Sequence, residues 1–163
     1  KKYLNDNHNN SNLIGIHLWG KMTENMNSFQ NLWEAEWVAD LIKKLNENNI
    51  LNIGVITFYS AQVACLERKF KEEWLDCEVN SVDGFQGWEK DIIILSCVWS
   101  RCNSIGFLSD FWRLNVAITW AKYCLFIVGD YKVLRKNEIW TKVIEQIKTK
   151  GHLMKNNSNR LSN

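Results

Sequence analysis

Two unbroken apolar stretches constrain this chain more than anything else in it. Asp91–Val98 reads DIIILSCV and Tyr123–Gly129 reads YCLFIVG. A strand with one wet face alternates apolar and polar residues. A run that is apolar at nearly every position fits a strand covered on both faces, as in a parallel sheet between layers of helices. Both runs are far shorter than the ~20 residues a helix needs to cross a bilayer.

The rest of the chain supplies the covering helices. Asn31–Leu45 places Trp37, Val38, Leu41, Ile42 and Leu45 at helical spacing, and Ala61–Lys71 reads as a second helix. Arg113–Ala121 reads as a short helix, and Glu138–Lys150 as an amphipathic one stopped by Gly151. Leu13–Leu18 is a short apolar run, and Ile53–Thr57 is a β-branched strand. This alternation predicts an α/β domain with a mainly parallel sheet and helices on both faces. At 163 residues and 46% hydrophobic, the chain suffices for one domain with a real core. The ends are Asn-rich and apolar-poor, so the domain is expected to span 13–151, with disordered ends at 1–12 and 152–163.

The bulk numbers exclude little else. A formal charge of +2 is too mild to argue for nucleic acid by itself. The five cysteines are odd in number and contain no C-x-x-C pair, so buried free thiols in a reducing compartment are expected, and no metal site. No secretory signal opens the chain, which fits an intracellular protein of nucleus or cytoplasm.

Ligands of open α/β sheets bind beyond the carboxyl ends of the strands. Polar segments flank the strands here: Thr57-Phe58-Tyr59-Ser60-Ala61-Gln62, Ser81-Val82-Asp83-Gly84-Phe85-Gln86-Gly87-Trp88-Glu89-Lys90-Asp91, and Arg113-Leu114-Asn115-Val116-Ala117-Ile118-Thr119-Trp120-Ala121-Lys122. No G-x-G-x-x-G follows any strand, which argues against a dinucleotide-binding domain.

Taken in order, these segments resemble the C-terminal, RecA-like motor domain of superfamily 1 helicases of the senataxin and nonsense-mediated-decay group. The family pattern runs close to T-P-Y-x-x-Q, then S/T-V-D-x-F-Q-G-R-E-K-D, then R-R-L-N-V-A-L-T-R-A-K. The chain also carries the upstream element Ser28-Phe29-Gln30-Asn31…Glu34-Ala35 and the link Ile105-Gly106-Phe107-Leu108-Ser109-Asp110, so the resemblance covers about Leu13 to Gly151. It implies a P-loop NTPase type of fold and a share in an ATP-driven motor on single-stranded RNA or DNA. In that motor an N-terminal RecA-like domain supplies the phosphate loop, and ATP with Mg sits between the two domains. This chain contains no G-x-x-x-x-G-K-[ST], so by itself it is not expected to hydrolyse ATP.

The resemblance also implies residue roles. Glu89 matches an acid at the nucleotide ribose, with a solvated surface Glu as the alternative. Gln86 and Gly87 match the loop at the nucleotide cleft, and Arg113 keeps the second of the paired arginines there. Ser81, Thr57, Tyr59 and Gln62 match groups that touch the nucleic-acid backbone, as hydroxyls and amides commonly do. Tyr59 reads equally well as packing. Asn115 and Thr119 lie four apart on one helix face and can address one target, Asn115 alternatively serving a local cap.

The departures are patterned. Trp120 stands at the family's arginine-finger position, and an indole has one N–H and no charge with which to stabilise a transferring phosphoryl group. Trp88, Trp99 and Trp112 also stand where the family has arginine, and Phe58 where it has proline. The chain has 9 tryptophans and no proline. At an ordinary proline usage of about 5%, such a lack has a probability of roughly 10⁻⁴. C-to-T changes turn the arginine codon CGG into the tryptophan codon TGG and remove proline codons, so cytosine-directed mutation, or a transcript restored by editing, would account for both; several independent substitutions are the alternative. Two other readings compete with the motor domain: a non-catalytic nucleic-acid or protein-binding module, and a decayed gene fragment.

Overall fold

The computed structural model describes residues 12–18, 20–84, 89–99 and 111–155. The chain opens with β1 (Asn12–His17), then a hairpin of β2 (Met22–Asn25) and β3 (Ser28–Asn31). The hairpin turns through Met26 and Asn27, both at positive φ (49° and 61°). That is the requirement of the two-residue turn whose twist suits antiparallel strands. Asn31 then caps α1 (Leu32–Glu47), its side chain accepting from Glu34 N–H at 3.2 Å. β4 (Ile53–Thr57), α2 (Ser60–Glu72) and β5 (Glu78–Ser81) follow, the last running into a single 3-10 turn, Val82–Gly84. Next come β6 (Lys90–Ser96), α3 (Phe111–Thr119), β7 (Ala121–Gly129) and the one-turn α4 (Tyr131–Leu134). α5 (Glu138–Lys150) and β8 (His152–Lys155) complete the described chain.

Six strands form one sheet in the order β5-β4-β6-β7-β1-β8, and every pairing in it is parallel. The two apolar runs are the neighbours β6 and β7 at the centre. Successive side chains of a strand point to opposite faces. Ile92, Ile94, Phe126 and Val128 therefore meet one core, with Val38 and Ile42 of α1 and Leu66 of α2. Ile93, Leu95, Leu125 and Ile127 meet the other, with Leu114 of α3 and Trp140, Ile144 and Ile147 of α5. An α/β domain with a parallel sheet and helices on both faces is what the sequence predicts.

Several boundaries differ from expectation. His152–Lys155, expected in a disordered tail, is an edge strand paired with β1. An isolated HLMK gives no periodic signal; the strand exists because β1 leaves an edge to be paired. Asn12 already belongs to β1, and Ala121, expected to end a helix, opens β7 opposite Lys90. The hairpin and β5 were not anticipated, since four-residue strands are too short to show a period. The expected disorder at 1–11 and 156–163, and the Ile105–Asp110 link, lie outside the described residues. Among the described residues, no helix is long and apolar enough to cross a membrane.

Candidate nucleic-acid and nucleotide interface

A parallel sheet gathers all strand starts at one end and all strand finishes at the other. The family-like residues divide between these two ends. At the carboxyl end, Ser81 of β5, Thr57 of β4 and Ser96 of β6 lie side by side in register. Ser81 is half-buried, and its hydroxyl accepts from Gly84 N–H at 3.2 Å, which shapes the turn that follows. Thr57 is wholly buried, and its hydroxyl finds no hydrogen-bond partner among the described residues. Such an unsatisfied group costs about 1–3 kcal/mol.

Two further residues of this group point inward. Tyr59 is 3% exposed; its hydroxyl accepts from the Trp99 indole N–H, and its ring packs edge-on to Phe29. Gln62 is buried, donating from Nε2 to Ser96 Oγ at 3.0 Å and to Asn31 O at 3.2 Å, while Oε1 accepts from Asn31 N–H at 2.8 Å. Of the two readings open for Tyr59, packing is what its side chain does here. Gln62 spends its amide within the chain, joining β3 to β6.

At the amino end, Glu89 precedes β6 and is exposed. Next to it, Lys90 N–H donates to Trp120 O at 3.2 Å, which brings the start of β6 against the end of α3. Trp120 is half-buried against the core, and Lys90 pairs with Glu78 at 3.2 Å. α3 runs between the two ends. Arg113 in its first turn pairs with Asp83 of the 3-10 turn at 2.9 Å, on the carboxyl side. Seven residues at 1.5 Å rise place its backbone about 10 Å along the axis from Trp120. Asn115 is half-buried and Thr119 exposed, the latter donating to Val116 O at 2.8 Å. Gln86 and Gly87 lie outside the described residues, as does Trp88.

The tryptophans at family arginine positions differ in exposure. Trp112 is 72% exposed, whereas Trp99 is 8% exposed and held by Tyr59. Among the described residues no group of three or more His, Cys, Asp or Glu side chains could hold a metal ion. The amino end offers a carboxylate and an indole, which suit a sugar and a flat base better than a triphosphate with its metal. By themselves these residues do not fit that group.

Asn31, Glu34 and Ser96, for which the motifs imply no role, form a buried polar network with Gln62 beneath the carboxyl end. The Glu34 carboxylate accepts from Ser96 Oγ at 2.6 Å and from Val98 N–H at 2.9 and 3.1 Å. Asn31 Nδ2 donates to Val98 O at 3.2 Å. Burial pushes the Glu34 carboxyl up to about 7 against the hydrogen bonds from Ser96 and Val98, with a smaller upward push from Asp130. A signal was present: Glu34 stands four residues before Val38, on the apolar face of α1. Four of the cysteines are free thiols, as expected; burial raises the thiols of Cys65 and Cys124, and that of Cys97 strongly.

The AAA domain family matches residues 2–132. An uncharacterized ATP-dependent helicase of Methanocaldococcus jannaschii is 44% identical over 122 residues, covering 75% of this chain and 18% of that protein. The probable helicase senataxin of Mus musculus is 37% identical over 145 residues (83% and 6%). A homologue of regulator of nonsense transcripts 1 from Neurospora crassa is 43% identical over 137 residues (78% and 12%). The chain thus spans less than a fifth of the length of these relatives. Among solved structures, the C-terminal domain of a possible DNA helicase from Lactobacillus plantarum matches with a TM-score of 0.50 at 12% identity, over 75% of this chain and 74% of that one, a likeness of fold alone. With the family matching most of its length, the chain belongs to the AAA domain family, as a C-terminal RecA-like domain of the superfamily 1 helicases that include senataxin and the regulators of nonsense transcripts.

Proposed function

We propose that the chain acts as the second motor domain of an ATP-dependent RNA or DNA helicase, contributing strand contacts and one wall of an ATP cleft. The observation that supports this best is the division of the family-like residues between the two ends of one sheet. Ser81, with Asn115 and Thr119 on α3, would meet the sugar-phosphate backbone. Thr57, Tyr59 and Gln62 would support that surface from beneath. Glu89 would accept from a ribose hydroxyl, next to the cleft loop of Gln86 and Gly87. Arg113 would have to exchange Asp83 for a phosphate. ATP and Mg would be held together with the N-terminal RecA-like domain of the parent protein.

Alone, the chain is not expected to hydrolyse ATP, because the phosphate loop is absent from it and Trp120 stands at the arginine-finger position. Joined to the N-terminal RecA-like domain of its parent, Trp120→Arg should raise strand-stimulated ATP hydrolysis by about 10³-fold. No change in that rate would remove the arginine-finger assignment. A second reading, a binding module without catalysis, is favoured by the uncharged Trp120 and the Arg113–Asp83 pair. Unaltered strand affinity in the joined protein, with no ATP hydrolysis before or after the substitution, would leave that reading standing.

A further inference from the structure

The element Ser28-Phe29-Gln30-Asn31…Glu34-Ala35 has no part in the strand or nucleotide contacts just proposed, yet Ser28, Phe29, Asn31 and Glu34 converge on one place. Ser28 Oγ accepts from Ala61 N–H at 3.2 Å in the first turn of α2, where no cap side chain from Tyr59 serves. Phe29 packs on both Tyr59 and Trp99, with ring centroids 5.7 and 5.2 Å away. Asn31 binds Val98 O, and Glu34 binds Val98 N–H and Ser96. Val98 itself sits at φ 72°. A β-branched residue is strained in that region and stays there only when its surroundings over-determine it. Both its backbone groups are gripped from the hairpin and α1. The turn aims Trp99 at Tyr59, beside Thr57 and Ser96 at the carboxyl end.

We propose that Glu34 is a positioning residue: its carboxylate holds the chain leaving β6 in the strained turn at Val98, and through the Trp99–Tyr59 contact sets the surface on which a single strand is bound. The strand-binding half rests on the function proposed above; the turn-holding half does not. Glu34→Ala removes the acceptor and should free Val98 from its strained conformation. Glu34→Gln keeps an acceptor for Val98 N–H and offers Ser96 Oγ a donor, so it should restore the turn.

The test uses the whole chain as wild type, Glu34→Ala and Glu34→Gln. Amide exchange at Val98, the Trp99 indole N–H resonance, melting temperature, and affinity for labelled oligo(dT) and oligo(rU) are measured on each. Glu34→Ala should speed exchange at Val98 relative to Ile94, shift the Trp99 resonance, and weaken strand binding about tenfold, the loss expected for one buried hydrogen bond. Glu34→Gln should recover all three. Unchanged Val98 and Trp99 signals in Glu34→Ala, or affinity that holds while they move, would overturn the proposal. Equal damage in both variants with collapsed melting would also overturn it, since the role would then be packing alone. Failure of the wild type to bind either strand would count against the carboxyl-end binding surface; the Val98 and Trp99 signals then decide whether Glu34 holds the turn.

Discussion

Glu34 carries its cost in a pH-dependent way. Its carboxyl, ordinarily near 4.5, is raised to about 7 by burial, and the titratable groups facing it are Asp130 and the Cys97 thiol. Because the folded value is raised, the favourable contribution is complete below about pH 4.5 and is lost as pH rises through about 7. At about 1.4 kcal/mol per pH unit, the span corresponds to about 3 kcal/mol. Denaturant midpoints of wild type and Glu34→Gln should therefore diverge with pH, the wild type losing ground toward pH 8; parallel curves would refute the assignment. Thr57 offers a second residue-scale test. Its hydroxyl is buried without a partner, so Thr57→Val should leave stability unchanged or raise it by about 1 kcal/mol in urea unfolding. A clear loss of stability would mean that the hydroxyl has a partner in the folded chain. Gly15 allows close approach: a Cβ there would run into the Tyr131 hydroxyl and lie 2.8 Å from Ile147 Cγ2.

Among the elements, α5 and β8 illustrate different sources of stability. Trp140 is fully buried on α5, and Asn137 caps that helix at 2.9 and 3.2 Å. Trp140→Ala should cost about 3–5 kcal/mol by chemical denaturation. β8 depends wholly on its partner. Removing residues 152–163 should uncover β1, lower the melting temperature by about 2–4 °C for each kcal/mol lost, and promote aggregation through the bared edge. An unaltered melt and no light scattering would mean that β8 is dispensable. The hairpin belongs to a third kind. It is anchored by Asn31 and Gln62, and its value lies in what it holds at the exit of β6.

For the molecule as a whole, the consequence is weak electrostatic attraction to nucleic acid. The net charge is +2, Arg113 is paired with Asp83 and Lys90 with Glu78. With so small a net charge, the logarithm of strand affinity should fall with that of salt at a slope of only about −1 to −3. A steep slope would reveal cations engaged in ways this arrangement does not provide.

Periodicity and apolar runs determined the architecture. DIIILSCV and YCLFIVG fit strands covered on both faces, and both lie at the centre of the sheet. The spaced motifs likewise identified the family and named Ser81, Thr57, Glu89 and Trp120 as residues to examine. The tertiary structure decided what sequence order cannot carry. Folding paired Arg113 with Asp83 and set Lys90, next to Glu89, against the Trp120 carbonyl. Burial turned Tyr59 and Gln62 inward. Short elements such as β5, β8 and the hairpin are stabilised by neighbours rather than by local pattern. The role of Glu34 was hidden for the same reason: its partners, Ser96 and Val98, lie more than 60 residues away in sequence, and only folding brings them together.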